Sequence, residues 1–264
     1  MLLKCDAAQL EWRVKVFLAQ DKVGMKEIAN GEDLHTDNQK FFGLPSRLIA
    51  KIFIYRMIFA DAFGERGFNG PAYAYAHDSD FQATSKSVKY WEAVVEKFFE
   101  KYPGIHQHSL KSIQDAVNQG YLTVPSGRYF PFAPRLRRGV LSWPNSDILN
   151  YPVQGFSAEL VQVARLTLAE KIKEIQQLWQ CLLINTVHDD VEADVDNDPE
   201  AVYNTSIAME DSFRGIPKAF EEMYGSSINV PMDGEVKYGM TLDEASMHKF
   251  NRSTFFEDWK KHYG

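Results

Sequence analysis

Cysteine is nearly absent: Cys5 and Cys181 are the only two in 264 residues. Two thiols cannot build the disulfide framework of a small secreted domain, and both fall in apolar, strand-like runs. Free, buried thiols in a reducing cytoplasm are therefore expected. No apolar run reaches the eighteen or so residues that a membrane-spanning helix needs. No signal-peptide pattern is visible either, so no membrane partner is expected. Internal repeats and low-complexity tracts are missing too. Positive charge is in deficit, with a formal net charge of −7, which argues against a stand-alone nucleic-acid binder. The cations present are local: Arg47, Lys51 and Arg56 in one segment, and Arg128, Arg135, Arg137 and Arg138 in a Pro-rich stretch read as a loop. With 45% hydrophobic residues, the chain can fill the core of one large domain or two small ones.

Carboxylates sit where strands end. His188-Asp189-Asp190 lies between the β-prone runs 182–187 and 191–195, the pattern of a tight hairpin with acids at its tip. Asp6 closes another apolar run, 1–5, and can sit beside that hairpin. Strand-borne carboxylates gathered from opposite ends of a chain are what a two-metal phosphoryl-transfer site needs. Each anchors Mg²⁺, and the two ions hold the attacking and leaving oxygens.

A second pattern repeats every four residues. Arg47, Lys51, Tyr55 and Phe59 share one face at helical pitch, and Pro45-Ser46 supplies a stop and an N-cap. The rest of the segment is apolar. Cations in line with rings suit a nucleotide, whose phosphates take Arg and Lys and whose base or sugar takes a ring. A helix with snorkelling cations would show the same stripe.

These residues resemble the palm and fingers of A-family DNA polymerases. Asp6-Ala7-Ala8-Gln9-Leu10-Glu11-Trp12-Arg13 is similar to the family's D-Y-S-Q-I-E-L-R motif. Arg47-Leu48-Ile49-Ala50-Lys51-Ile52-Phe53-Ile54-Tyr55 resembles R-x-x-A-K-x-x-x-[FY], and Val187-His188-Asp189-Asp190 resembles V-H-D-E. Asp33-Leu34-His35-Thr36 matches D-x-H-T, residues 98–104 match Y-F-x-x-Y-P-G, and residues 150–155 match N-x-P-x-Q-G. Residues 230–236 resemble V-P-x-x-x-E-V. Each motif alone is weak, but seven in family order over nearly the whole chain are specific.

The resemblance implies an α+β fold: a right-hand palm, an antiparallel sheet with helices on one face, plus helical fingers. The palm would be discontinuous, residues 1–34 and 121–264, with the fingers at 35–120. It implies two Mg²⁺ ions on Asp6 and Asp189, with Asp190 a weak ligand or tuning acid where the family has Glu. His35, Arg47 and Lys51 would hold the incoming dNTP, and Lys51 would also donate a proton to the pyrophosphate leaving group. Tyr55 would pack near the sugar and points to the bacteriophage branch. Glu11 resembles the steric gate against a ribose 2′-OH. Phe59 stands where the family has the Tyr that bonds this Glu, so that bond is missing. Gln9, Asn150 and Gln154 match residues that read the minor groove or contact the template and primer. Arg56 replaces a Gly beside the templating base and would touch template, with Arg128 among the DNA-binding cations. His188 either touches the primer end or is a structural hydrogen bonder.

The coarse element reading is a strand to Asp6 and then helices over 9–20, 22–29, 35–42 and 46–60. A loop-rich stretch covers 64–80. Helices 85–101 and 105–119 are split by Pro103-Gly104, and a hairpin joins 121–124 to 128–130. A helix over 147–177 is interrupted at Pro152. The acid hairpin, a helix 199–224, a strand 233–238 and a helical tail follow. No thumb sequence is recognisable, so the chain is expected to be either half of a naturally split polymerase, with an N-terminal partner polypeptide carrying a thumb and possibly an exonuclease, or a truncated fragment. Two alternatives stand beside this: an inert fragment that needs such a partner, and a single-subunit RNA polymerase, against which Glu11 argues.

Overall fold

The computed structural model describes residues 1–59, 71–78, 81, 85–137 and 139–264. The chain forms two compact units, Met1–Leu10 with Ser157–Gly264, and Glu11–Phe156.

In the first unit, β1 (Leu2–Ala7), β6 (Cys181–Val187), β7 (Asp190–Val195), β8 (Gly234–Gly239) and β9 (His248–Lys249) form an antiparallel sheet in the order β6-β7-β1-β8-β9. Strand β1 alternates strictly, burying Leu3, Cys5 and Ala7 while Lys4 and Asp6 share the other face. It pairs on one side with β7, Asp6 opposite Asp190, and on the other with β8, Asp6 opposite Glu235. Helix α9 (Pro199–Arg214) covers the buried face with Val202, Met209 and Phe213. It comes so close that a Cβ on Gly234 would lie 2.7 Å from Cys5 Sγ and 2.9 Å from Phe213 Cβ. Helix α11 (Phe255–Tyr263) adds Phe255 and Trp259 against Tyr238. Both cysteines are free and buried on strands.

The second unit is helical: α1 (Leu10–Ala19, whose first residue belongs to the other unit), α2 (Lys22–Ala29), α3 (Leu34–Phe42), α4 (Arg47–Phe59), α5 (Pro71–His77), α6 (Val88–Lys101) and α7 (Pro103–Gln119). Its core is aromatic. Phe53 packs against Phe42, Tyr75, Trp91 and Phe98, and Trp12 meets Tyr102 edge-on at 5.0 Å. One carboxylate starts two helices: Asp21 Oδ1 accepts from the Val23 and Gly24 amides of α2, and Oδ2 from the Gly104 and Ile105 amides of α7. Hairpins β2 (Tyr121–Thr123)/β3 (Tyr129–Pro131) and β4 (Arg135–Arg137)/β5 (Val140–Ser142) follow. Helix α8 (Asn145–Ile175) starts in this unit and continues into the other.

Several expectations are corrected. Pro152 does not interrupt its helix: α8 runs through it, forgoing the one amide that proline lacks. The expected helix over 199–224 divides, because Gly215 caps α9 and Pro217 opens α10 (Ile216–Tyr224). The basic stretch read as loop holds the β4/β5 hairpin, turned at Gly139 with φ +80°. Of the loop-rich 64–80 stretch, Pro71–His77 is helical, since Ala72 and Tyr75 give it a buried side. Residues 64–70, 79 and 80 and Arg138 lie outside the described residues. The compact units part at Leu10/Glu11 and Phe156/Ser157. The cause is that α1 and α2 are tied to α7 and α6 through Asp21, Trp12 and the Tyr102–Glu27 bond. Among the described residues, no helix is long and apolar enough to cross a membrane.

Candidate active site

The sheet brings Asp6, Asp189 and Asp190 together, with one carboxylate oxygen of each within 4.8 Å of the others. A two-residue turn does this. β6 ends at Val187 and β7 begins at Asp190, with His188 in the left-handed region at φ 54°, the backbone that a tight hairpin demands. Two amides then lock the end of β1 in place. Ala7 donates to the Asp189 carbonyl at 2.9 Å, and Ala8 to the Asp233 carbonyl at 2.9 Å. Asp190 is buried and one of its oxygens, Oδ1, has no hydrogen-bond partner among the described residues. Burial, then Asp189 and Asp190, push the Asp6 carboxyl up to about 6. The cluster is thus an anionic site short of positive charge.

Lys4 supplies part of it, with Nζ 3.0 Å from Asp190 and 3.0 Å from Glu244. Burial works against its ammonium, but the hydrogen bonds to Asp190 and Glu244 outweigh this and raise its pKa above the ordinary lysine value. The sequence reading missed Lys4, although a residue two before Asp6 on a strand must share its face. All the donors are hard carboxylate oxygens, one of them orphaned and buried, so the set fits Mg²⁺ or a similar divalent cation.

In the helical unit, α4 presents its four-residue stripe away from its core. Arg47 and Lys51 are exposed and Tyr55 and Phe59 half-buried, while Ile49, Ala50, Phe53, Ile54, Met57 and Ile58 are buried. Ser46 caps it through the Ile49 amide at 3.2 Å, as expected. The stripe is joined by α3. The His35 ring lies 5.8 Å from that of Tyr55, and Tyr55 stacks on Phe59 at 6.2 Å. His35 is buried with no partner for Nδ1 among the described residues, and burial plus Arg47 and Lys51 pull it down to about 4, so it is neutral at pH 7. Arg47 forks onto Asp33, Nε to Oδ2 and Nη2 to Oδ1, each at 3.1 Å. Burial opposes it, but hydrogen bonds from Arg47 and Thr36 hold the Asp33 carboxyl well below the usual range.

The remaining candidates are more scattered. Gln9 takes φ 53° at the junction of β1 and α1, and Glu11 lies half-buried in the first turn of α1. Arg56 pairs with Asp78 at 3.0 Å and lies over the Phe81 ring, so an intramolecular contact already engages it. Arg128 lies over Phe130, whose ring rests on α8 at Gly155, where a Cβ would come within 2.5 Å of it. Gln154, the residue before Gly155, is exposed. Asn150, earlier on α8, has a buried Oδ1 without a partner, and His188 is exposed at the hairpin turn.

The fold is that of a polymerase domain. It is similar to the POL domain of Pol1 from M. smegmatis, solved in complex with DNA primer-template and dNTP, with a TM-score of 0.69 and 21% identity over 91% of this chain and 39% of that one. Residues 1–244 match the model of DNA polymerase family A, and the chain belongs to that family. Among its relatives, DNA polymerase I of Mycobacterium leprae is 24% identical over 252 residues, 93% of this chain and 25% of that protein. The enzyme of Bacillus caldotenax is 24% identical over 247 residues, covering 26% of it, and the thermostable one of Thermus filiformis 25% over 248 residues, covering 27%. The chain spans about a quarter of the length of the curated relatives it matches.

Proposed function

We propose that this chain is the palm-and-fingers part of a template-directed DNA polymerase that adds a dNTP to a primer 3′-OH. The observation that carries the reading is the convergence of Asp6, Asp189 and Asp190 within 4.8 Å from strands at opposite ends of the chain. Asp6 and Asp189 would hold two Mg²⁺ ions, with Asp190 as auxiliary ligand. When bound, the ions supply Lewis-acid charge to the attacking and leaving oxygens of phosphoryl transfer. Asp6 and Asp189 hold that charge at one end of the sheet, and Lys4 keeps Asp190 neutralised.

The other chemistry falls to α3 and α4. Arg47 and Lys51 neutralise the triphosphate, and neutral His35 donates or accepts without adding charge. Lys51 is the general acid toward pyrophosphate. Tyr55 packs under the sugar, and its hydroxyl is the basis for placing the chain in the bacteriophage branch, acting in the host cytoplasm. Glu11 rejects a 2′-OH without help from Phe59. Gln9, Asn150, Gln154, Arg56, Arg128 and His188 face primer-template DNA. A net charge of −7 supports a partner polypeptide, bearing a thumb and possibly an exonuclease, that carries much of the grip on DNA.

The test is primer extension with Mg²⁺ and dNTPs, by the chain alone and with a candidate upstream polypeptide. Extension is expected with the partner and is expected to fall by about two orders of magnitude or more in Asp189→Ala. Extension that survives Asp189→Ala, or none under either condition, overturns the reading.

A further inference from the structure

We propose that Asp33 is the positioning residue that aims Arg47 at the triphosphate. This rests on the reading of α3 and α4 as a dNTP site. One carboxylate makes five bonds. Oδ1 accepts from the His35 amide at 3.1 Å, the Thr36 amide at 3.3 Å and Arg47 Nη2 at 3.1 Å. Oδ2 accepts from the Thr36 hydroxyl at 2.8 Å and Arg47 Nε at 3.1 Å. Asp33 is thus the N-cap of the helix that carries His35 and, at the same time, the anchor of a guanidinium on the helix that carries Lys51 and Tyr55.

The direction of the fork matters. Asp33 takes the Nε–Nη2 side of the guanidinium. The Nη1 group carries no hydrogen bond among the described residues. Five N–H groups point outward from a planar guanidinium, and a side-on carboxylate uses two of them. The end-on edge keeps one hydrogen on Nη1 and one on Nη2, enough for a bidentate grip on phosphate. A free arginine would have to lose its rotamer freedom when the nucleotide arrives, whereas a forked one has lost it beforehand. Stability is a weak account of the fork, because Arg47 and Asp33 are 55% and 46% exposed and a pair so exposed adds at most about 1 kcal/mol to it.

The test compares Asp33→Asn, Arg47→Ala and the double variant in the full chain. Asn caps helices as well as Asp, so α3 keeps its start while the charged fork is lost. Calorimetric dissociation constants would be measured for dTTP and inorganic tripolyphosphate, with melting temperature alongside. Asp33→Asn is expected to weaken both ligands about five- to twentyfold with its melting temperature nearly unchanged, and to add nothing on top of Arg47→Ala. Unchanged or tighter binding in Asp33→Asn overturns the proposal, tighter binding marking the carboxylate as a placeholder the triphosphate must displace. Additive losses overturn it too, since Asp33 would then act without Arg47. If Arg47→Ala itself leaves both constants unchanged, the dNTP-site reading fails and takes this proposal with it.

Discussion

Lys15 is fully buried in the helical unit and, among the described residues, has only Ser109 Oγ, at 2.9 Å, to receive its Nζ proton. Burial pulls its pKa down to about 7. In the unfolded chain an ordinary lysine titrates near 10.4. Between those values the unfolded state binds more protons, so stability rises with pH across that window, and the penalty is full below about 7. Replacing the pair, Lys15→Met with Ser109→Ala, is expected to raise the urea midpoint at pH 6 and to leave it nearly unchanged at pH 10. A gain of equal size at both values would mean that the lysine is not the source. If Arg47 grips the triphosphate as proposed, Arg47→Ala removes charge-assisted hydrogen bonds of about 1.5–3 kcal/mol. The KM for dNTP in primer extension is expected to rise about ten- to hundredfold, with a smaller change in kcat.

At the scale of elements, periodicity made most of the fold legible. The α4 stripe, its Ser46 cap and the acid hairpin all follow from local spacing. What periodicity could not supply was choice of partner. That Asp6 would face Asp190 on one side and Glu235 on the other is decided by pairings far apart in sequence. The small β4/β5 hairpin was hidden by its composition, since prolines and arginines mask three-residue strands. Asp33 was visible only as a motif letter, because a fork to a residue fourteen positions away leaves no periodic trace. Asp21 is the comparable case for stability. Asp21→Ala removes caps from two helices at once, and at about 0.5–2 kcal/mol per cap it is expected to cost about 1–4 kcal/mol by urea denaturation. Asp21→Asn should recover only part of this, since an amide has one acceptor oxygen where four amides need two.

For the whole molecule, charge and edges set the behaviour. Strand β6 lies at the edge of the sheet among the described strands, and it exposes Leu182, Ile184 and Val187. An apolar edge of this kind invites a further strand or a second chain. With a net charge of −7, the isolated chain is expected to bind primer-template weakly and with a shallow salt dependence. Adding a thumb-bearing partner should steepen the slope of log K against log salt, as read by fluorescence anisotropy. An equally steep slope for the chain alone would count against the partner.

The pairing of Asp6 with Asp190 also has a consequence in time. The hairpin that carries Asp189 closes within a few residues, but β1 must wait for it across most of the chain. At about 5–20 residues per second, synthesis separates the two by roughly ten to forty seconds. Through that interval β1 lacks β7 and β8, the two strands that pair with it. The acidic centre comes into existence only when β1 meets the 181–195 hairpin, so it cannot form before about residue 195 has been made.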